Sequence, residues 1–68
     1  MKYRIKNKKN NTYYKSTPFK GQFHWEFDEA HIFENKWMAN RKLREIISIK
    51  KLTNDDLVIE MVKWDYYI

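Results

Sequence analysis

Residues 23–37 read FHWEFDEAHIFENKW. The stretch holds five aromatic rings, two histidines and four acids, and no base before Lys36, in a chain that is otherwise basic. A strand, a short connection and a helix start all have to fit inside it, so its reading decides the fold. FHWEF alternates: Phe23, Trp25 and Phe27 fall on one face, His24 and Glu26 on the other, the period-two pattern of an extended segment. Two continuations are then open. Asp28 can cap a single long helix running through Ile46, or AHIF forms a short strand or turn and Asn35 caps a helix that begins at Lys36. Apolar residues from Ala30 to Ile47 make one broad arc on a helical wheel, so the period permits both. The Asn35 cap is preferred. The helix KWMANRKLREI then turns Trp37, Ala39, Leu43 and Ile46 inward and Arg41 and Lys42 to solvent, with Met38 near the polar side.

Upstream, KYRIK (2–6) alternates strictly, with Tyr3 and Ile5 on one face and Lys2, Arg4 and Lys6 on the other. NKKNN is a turn whose asparagines tolerate left-handed backbone, and TYYKS (12–16) returns as the second strand of a hairpin. TPFKGQ (17–22) carries the only Pro and the only Gly, which marks the main irregular connection. Downstream, IISIKKL (46–52) can begin as helix and finish as strand, and TNDD (53–56) is a turn. LVIEMVKW (57–64) is β-branched and short of polar positions, which reads as a central strand. The expected fold is a single α+β domain over 1–68. It has an N-terminal β-hairpin and one main helix (about 35–46) packed on a small antiparallel or mixed sheet, closed by a C-terminal strand or hairpin. The expected core is Tyr3, Ile5, Trp25, Phe27, Phe33, Trp37, Leu43, Ile59 and Met61.

Composition narrows the function. The 68 residues include no cysteine, so neither a disulfide nor a thiolate zinc site braces the fold. Twelve aromatic residues compensate, since each can bury ~150–250 Å². No apolar run approaches the ~20 residues of a membrane span, and no signal-peptide pattern follows the charged start, so a cytoplasmic protein with no membrane partner is expected. The net charge of +5 is arranged in blocks. Residues 1–20 carry seven bases and no acid, 21–35 four acids and no Lys or Arg, 36–51 six bases and one acid, and 52–68 four acids and one base. Such blocks attract nucleic acid or an acidic partner, or they neutralise one another across the fold.

No motif for chemistry stands out. His24, Glu26, Asp28 and His31 lack a recognised metal-ligand spacing. Ser16 and Ser48 lie outside any nucleophile-elbow context, and a single Gly excludes the common phosphate-cradling loops. No catalytic residue, cofactor or metal is therefore assigned, and a non-enzymatic protein is expected.

The arrangement YRIK…TYYKS…W-x-F-D-x-A-x-I-F-x-N-K-x-x-A, followed by a helix and a closing strand, resembles small uncharacterised proteins encoded by phages and prophages of AT-rich Gram-positive bacteria. Tyr3, Ile5, Tyr13, Tyr14, Trp25, Ala30, Ile32, Phe33, Asn35 and Ala39 carry the resemblance. NKKNN departs from the Gly-containing turn usual in that pattern. The resemblance implies a phage accessory gene whose product contacts a host enzyme or defence component.

Two binding readings follow. The first is contact with a host or phage protein, because twelve rings exceed what one helix on a small sheet easily hides. Tyr13, Met38, Arg41, Tyr66 and Tyr67 are the candidate contact residues, with Tyr, Trp, Met and Arg enriched at interfaces. The surplus rings serve equally in a homodimer contact, so monomer and homodimer both stand. The alternative is single-stranded nucleic-acid binding on the hairpin face, where Lys2, Arg4, Lys6 and Lys15 would meet phosphates and Tyr13 would stack on bases.

Overall fold

The computed structural model describes residues 2–19, 22–50, 52 and 55–62. Strand β1 (Lys2–Asn7), β2 (Thr12–Ser16) and β3 (Phe23–Glu26) are followed by helix α1 (Lys36–Lys50) and strand β4 (Leu57–Val62). The four strands form one antiparallel sheet in the order β3-β2-β1-β4, with α1 across one face: the expected α+β domain.

The hairpin turn follows from its asparagines. Asn11 sits at φ 56°, in the left-handed region that asparagine tolerates. The Lys9 N–H donates to Asn7 Oδ1 at 3.0 Å, so the turn carries its own hydrogen bonds. Beyond the turn β1 and β2 pair only at Asn7 with Thr12 and Lys6 with Tyr13. They then part, and residues 31–33 enter the gap. Phe33 exchanges two backbone hydrogen bonds with Tyr3 (3.0 and 2.8 Å), and the His31 N–H donates to the Tyr14 carbonyl at 2.8 Å. AHIF is thus extended backbone wedged into the sheet, and the single long helix from Asp28 does not form.

The helix starts where the cap requires. Asn35 Oδ1 accepts from the Met38 N–H at 2.9 Å, and the Asn35 carbonyl accepts from Ala39. The helix runs past residue 46 to Lys50, so IISIK is wholly helical. Ala39, Leu43 and Ile46 are its buried residues, and they pack on Ile5, Tyr14, Phe33 and Leu57. Tyr3, Phe23, Trp25 and Ile59 are half-buried against this core.

Three expected core residues are exposed. Phe27 is 69% exposed because the chain bends after Glu26 and leaves the strand's alternation. Trp37 is 67% exposed. Successive helical residues turn by about 100°, which sets Trp37 about 200° from Ala39 and opposite the buried stripe. Met61 is 55% exposed because β4 is not central: it is the sheet's edge and borrows cover only from β1. The run LVIEMV is apolar for another reason. Leu57 and Val62 are buried on opposite faces of the strand, while Val58 and Met61 reach solvent.

Asn35→Ala is expected to cost ~0.5–2 kcal/mol through loss of the cap, and Ile46→Ala ~2–5 kcal/mol through the cavity it leaves. Trp37→Ala, on the exposed face, should stay within about 0.5 kcal/mol of the parent. Urea melts of the three variants check this, and a destabilisation by Trp37→Ala equal to that of Ile46→Ala would contradict the helix phase described.

Candidate functional site

The sheet face away from α1 gathers the hairpin bases. Alternation puts Lys2, Arg4 and Lys6 of β1 beside Tyr13 and Lys15 of β2, and the Arg4 guanidinium lies 4.1 Å from the Tyr13 ring centroid. All five residues of the nucleic-acid alternative are therefore together, and each base carries a carboxylate. Lys2 is ion-paired with Glu34. Arg4 Nη2 is 2.8 Å from Glu60 Oε1, and Arg4 Nε donates to the same oxygen at 2.9 Å. Lys6 reaches Glu60 at 3.6 Å and Lys15 reaches Glu29 at 3.5 Å. Glu26 stands in register with Tyr13. The acid blocks of the sequence thus fold back onto its first basic block.

The contact residues expected for a protein partner are divided. Tyr13 is half-buried on this charged face, whereas Met38 and Arg41 are exposed on α1, across the sheet. Tyr66 and Tyr67 lie outside the described residues. Trp37 joins the helix group: its apolarity points to the core, but its helical angle puts it on the surface. The Arg41 guanidinium lies 5.7 Å from the Trp37 ring centroid, within cation–π range. Trp37, Arg41 and Arg44 form an exposed stripe at i, i+4 and i+7 opposite the core.

Two shallow hollows flank that stripe. One, of about 350 Å³, is lined by His31, Phe33, Trp37, Met38, Arg41, Lys42 and Glu45. The other, of about 390 Å³, is lined by Trp37, Asn40, Arg41 and Arg44. Lys42 and Glu45 hold each other at 3.1 Å.

His31 anchors the first hollow. Its Nδ1 is hydrogen-bonded with the Ser16 hydroxyl at 3.0 Å. Its ring meets Phe33 edge-on at 4.5 Å and Tyr14 at 5.8 Å. Burial, then the cations of Lys15 and Lys42, hold its pKa below the ordinary 6.5, and burial likewise pushes the Tyr14 phenol up. His24 pairs with Lys15 on the opposite sheet face, so the two histidines do not converge. Among the described residues no three His, Asp or Glu side chains converge on a point that could hold a metal, and no helix is long and apolar enough to cross a membrane.

A depressed histidine pKa has a definite sign. Between 6.5 and the lower folded value the unfolded chain binds the proton and the folded chain does not. The stabilisation is therefore complete above about pH 6.5 and is lost as pH falls through the folded pKa. The melting temperature should fall as the pH is lowered from about 7 to about 5, and His31→Gln should flatten that slope. Circular-dichroism melts across the range check both, and an unchanged slope in His31→Gln would place the titrating group elsewhere. Glu34, whose pKa the Lys2 hydrogen bond and charge hold below 4.5, contributes in a separate and more acidic window.

No family model, curated protein or solved structure matches the chain, so its site rests on its own geometry.

Proposed function

We propose that this chain is a small non-enzymatic binding protein that acts by protein–protein contact through the outer face of α1. One observation carries the reading: a tryptophan two-thirds exposed on the helix face opposite the core, with an arginine over its ring. Burial of an indole in a partner's pocket is among the largest single contributions an interface residue makes, and Trp and Arg lead among interface hot spots. Met38, 44% exposed beside it, adds an adaptable apolar surface.

The resemblance to phage and prophage proteins directs the search for the partner to host enzymes and defence components in the cytoplasm. The alternative is nucleic-acid binding on the hairpin face, where Lys2, Arg4, Lys6, Tyr13 and Lys15 share one side of the sheet. Glu29, Glu34 and Glu60 already occupy its cations, and a phosphate chain would have to displace them.

An affinity capture from host lysate, with and without nuclease, tests the reading. The expected result is a protein partner that survives nuclease, is lost with Trp37→Ala and is retained with Lys6→Ala. Tight oligonucleotide binding that weakens steeply with salt, and weakens further with Arg4→Ala or Lys6→Ala, would overturn it in favour of the hairpin face.

A further inference from the structure

Resting on that reading of the helix face, we infer that the partner presents a short segment in which a large apolar side chain is flanked by carboxylates. The two hollows differ in chemistry. The first is lined by Phe33, Trp37 and Met38 together with His31, Arg41 and the mutually paired Lys42 and Glu45, which leaves apolar surface for one large side chain. The second has two guanidinium groups, an amide and no acid among its lining residues. Trp37 and Arg41 belong to both, so they form a ridge that an extended segment crosses with an apolar group on one side and acids on the other.

Charge supports the acidic half. Glu29, Glu34, Glu45 and Glu60 each hold a lysine or arginine. Lys36, Arg41 and Arg44 are exposed, and none has an acidic partner among the described residues. The first turn of α1 contains no acid and begins with Lys36, the reverse of what the helix dipole favours. Helix stability does not account for that charge. Arg41, lying against the Trp37 ring, is restrained with its planar fork available to a carboxylate. A nucleic acid fits less well. These three cations would release counterions for a salt slope of only about −2 on a single strand, a small footprint for a phosphate chain.

Titration of the isotope-labelled protein, followed by NMR, tests this with three probes: a short peptide of Asp and Glu around a central Leu-Phe pair, its Asn and Gln counterpart, and an oligothymidylate. The acidic peptide should shift the Trp37 indole and the Arg41 and Arg44 side-chain resonances. Trp37→Ala and Arg44→Glu should each weaken it ~10-fold or more. Lys9→Glu, an equal change of net charge on the exposed hairpin turn, should leave it within about twofold. Circular dichroism confirms that each variant is folded. Acidic and neutral peptides binding this face equally would overturn the acidic specificity and leave the protein-contact reading standing. Neither peptide touching the face would overturn the inferred segment, while the lysate capture decides the protein-contact reading by itself. Oligothymidylate displacing the acidic peptide would reassign the face to nucleic acid, and Lys9→Glu weakening binding as much as Arg44→Glu would reduce the effect to net charge.

Discussion

β1 and β2 begin as a tight hairpin and are held together by it for only two residue pairs before they diverge. From that point their facing N–H and C=O groups need other partners, because a buried backbone group left unpaired costs about 1–3 kcal/mol. Residues 31–33 supply them, by the two bonds between Phe33 and Tyr3 and the one from His31 to Tyr14. Much else is fixed by this insertion. It carries the Phe33 ring to within 6.0 Å of Tyr14 and under the helix, and sets His31 against Ser16. It also ends two residues before the cap, so the start of α1, and with it the angle at which Trp37 leaves the molecule, is set by the wedge.

The distribution of charge follows from the same geometry. Glu29 and Glu34 lie on either side of the inserted segment, and each meets a lysine of the strand next to it, Lys15 on β2 and Lys2 on β1. Glu60 enters from the opposite edge and meets Arg4 and Lys6 across the β1–β4 pairing. Exposed pairs of this kind contribute little stability. Their larger effect is to decide where the unbalanced positive charge of the chain is left. The hairpin face is neutralised and the helix is not.

The sequence made the local structure legible and the placement of surfaces less so. Asn35 announced its helix because a side-chain acceptor just ahead of an amphipathic run has one strong use, and the asparagines of residues 7–11 announced a turn that needs left-handed backbone. Alternation gave the inward Ile5 and the outward Arg4 and Tyr13, while Tyr14, buried in the structure, is absent from the expected core. AHIF was open to reading as a short strand or turn, but its place between β1 and β2 was not: three residues that pair with strands on either side have no period of their own. At Trp37 apolarity and helical angle point in opposite directions, and the angle decides. The run 57–62 reads as central because an edge strand buried at both ends has the composition of a central one. The Ser16–His31 bond joins residues fifteen positions apart and depends wholly on the wedge. The reach of the acidic blocks onto the hairpin was visible as a charge pattern, though not as particular pairs.

The position of β1 between β2 and β4 has a consequence for how the chain comes to be folded. The strand lies near the amino end, yet one of its flanks is completed only by β4, where Lys2 meets Val62 and Asn7 meets Leu57. Its other flank is completed in part by Phe33. While the chain is being synthesised, the opening hairpin has one side of β1 bare until the closing strand has been made, and loop-closure entropy must be overcome before those distant pairings bring any gain. The order of synthesis and the order of stability therefore run against each other. A chain interrupted before β4 would expose the unpaired backbone edge of β1, and the outward Lys2, Arg4 and Lys6 of that strand are the feature that opposes its association with other chains.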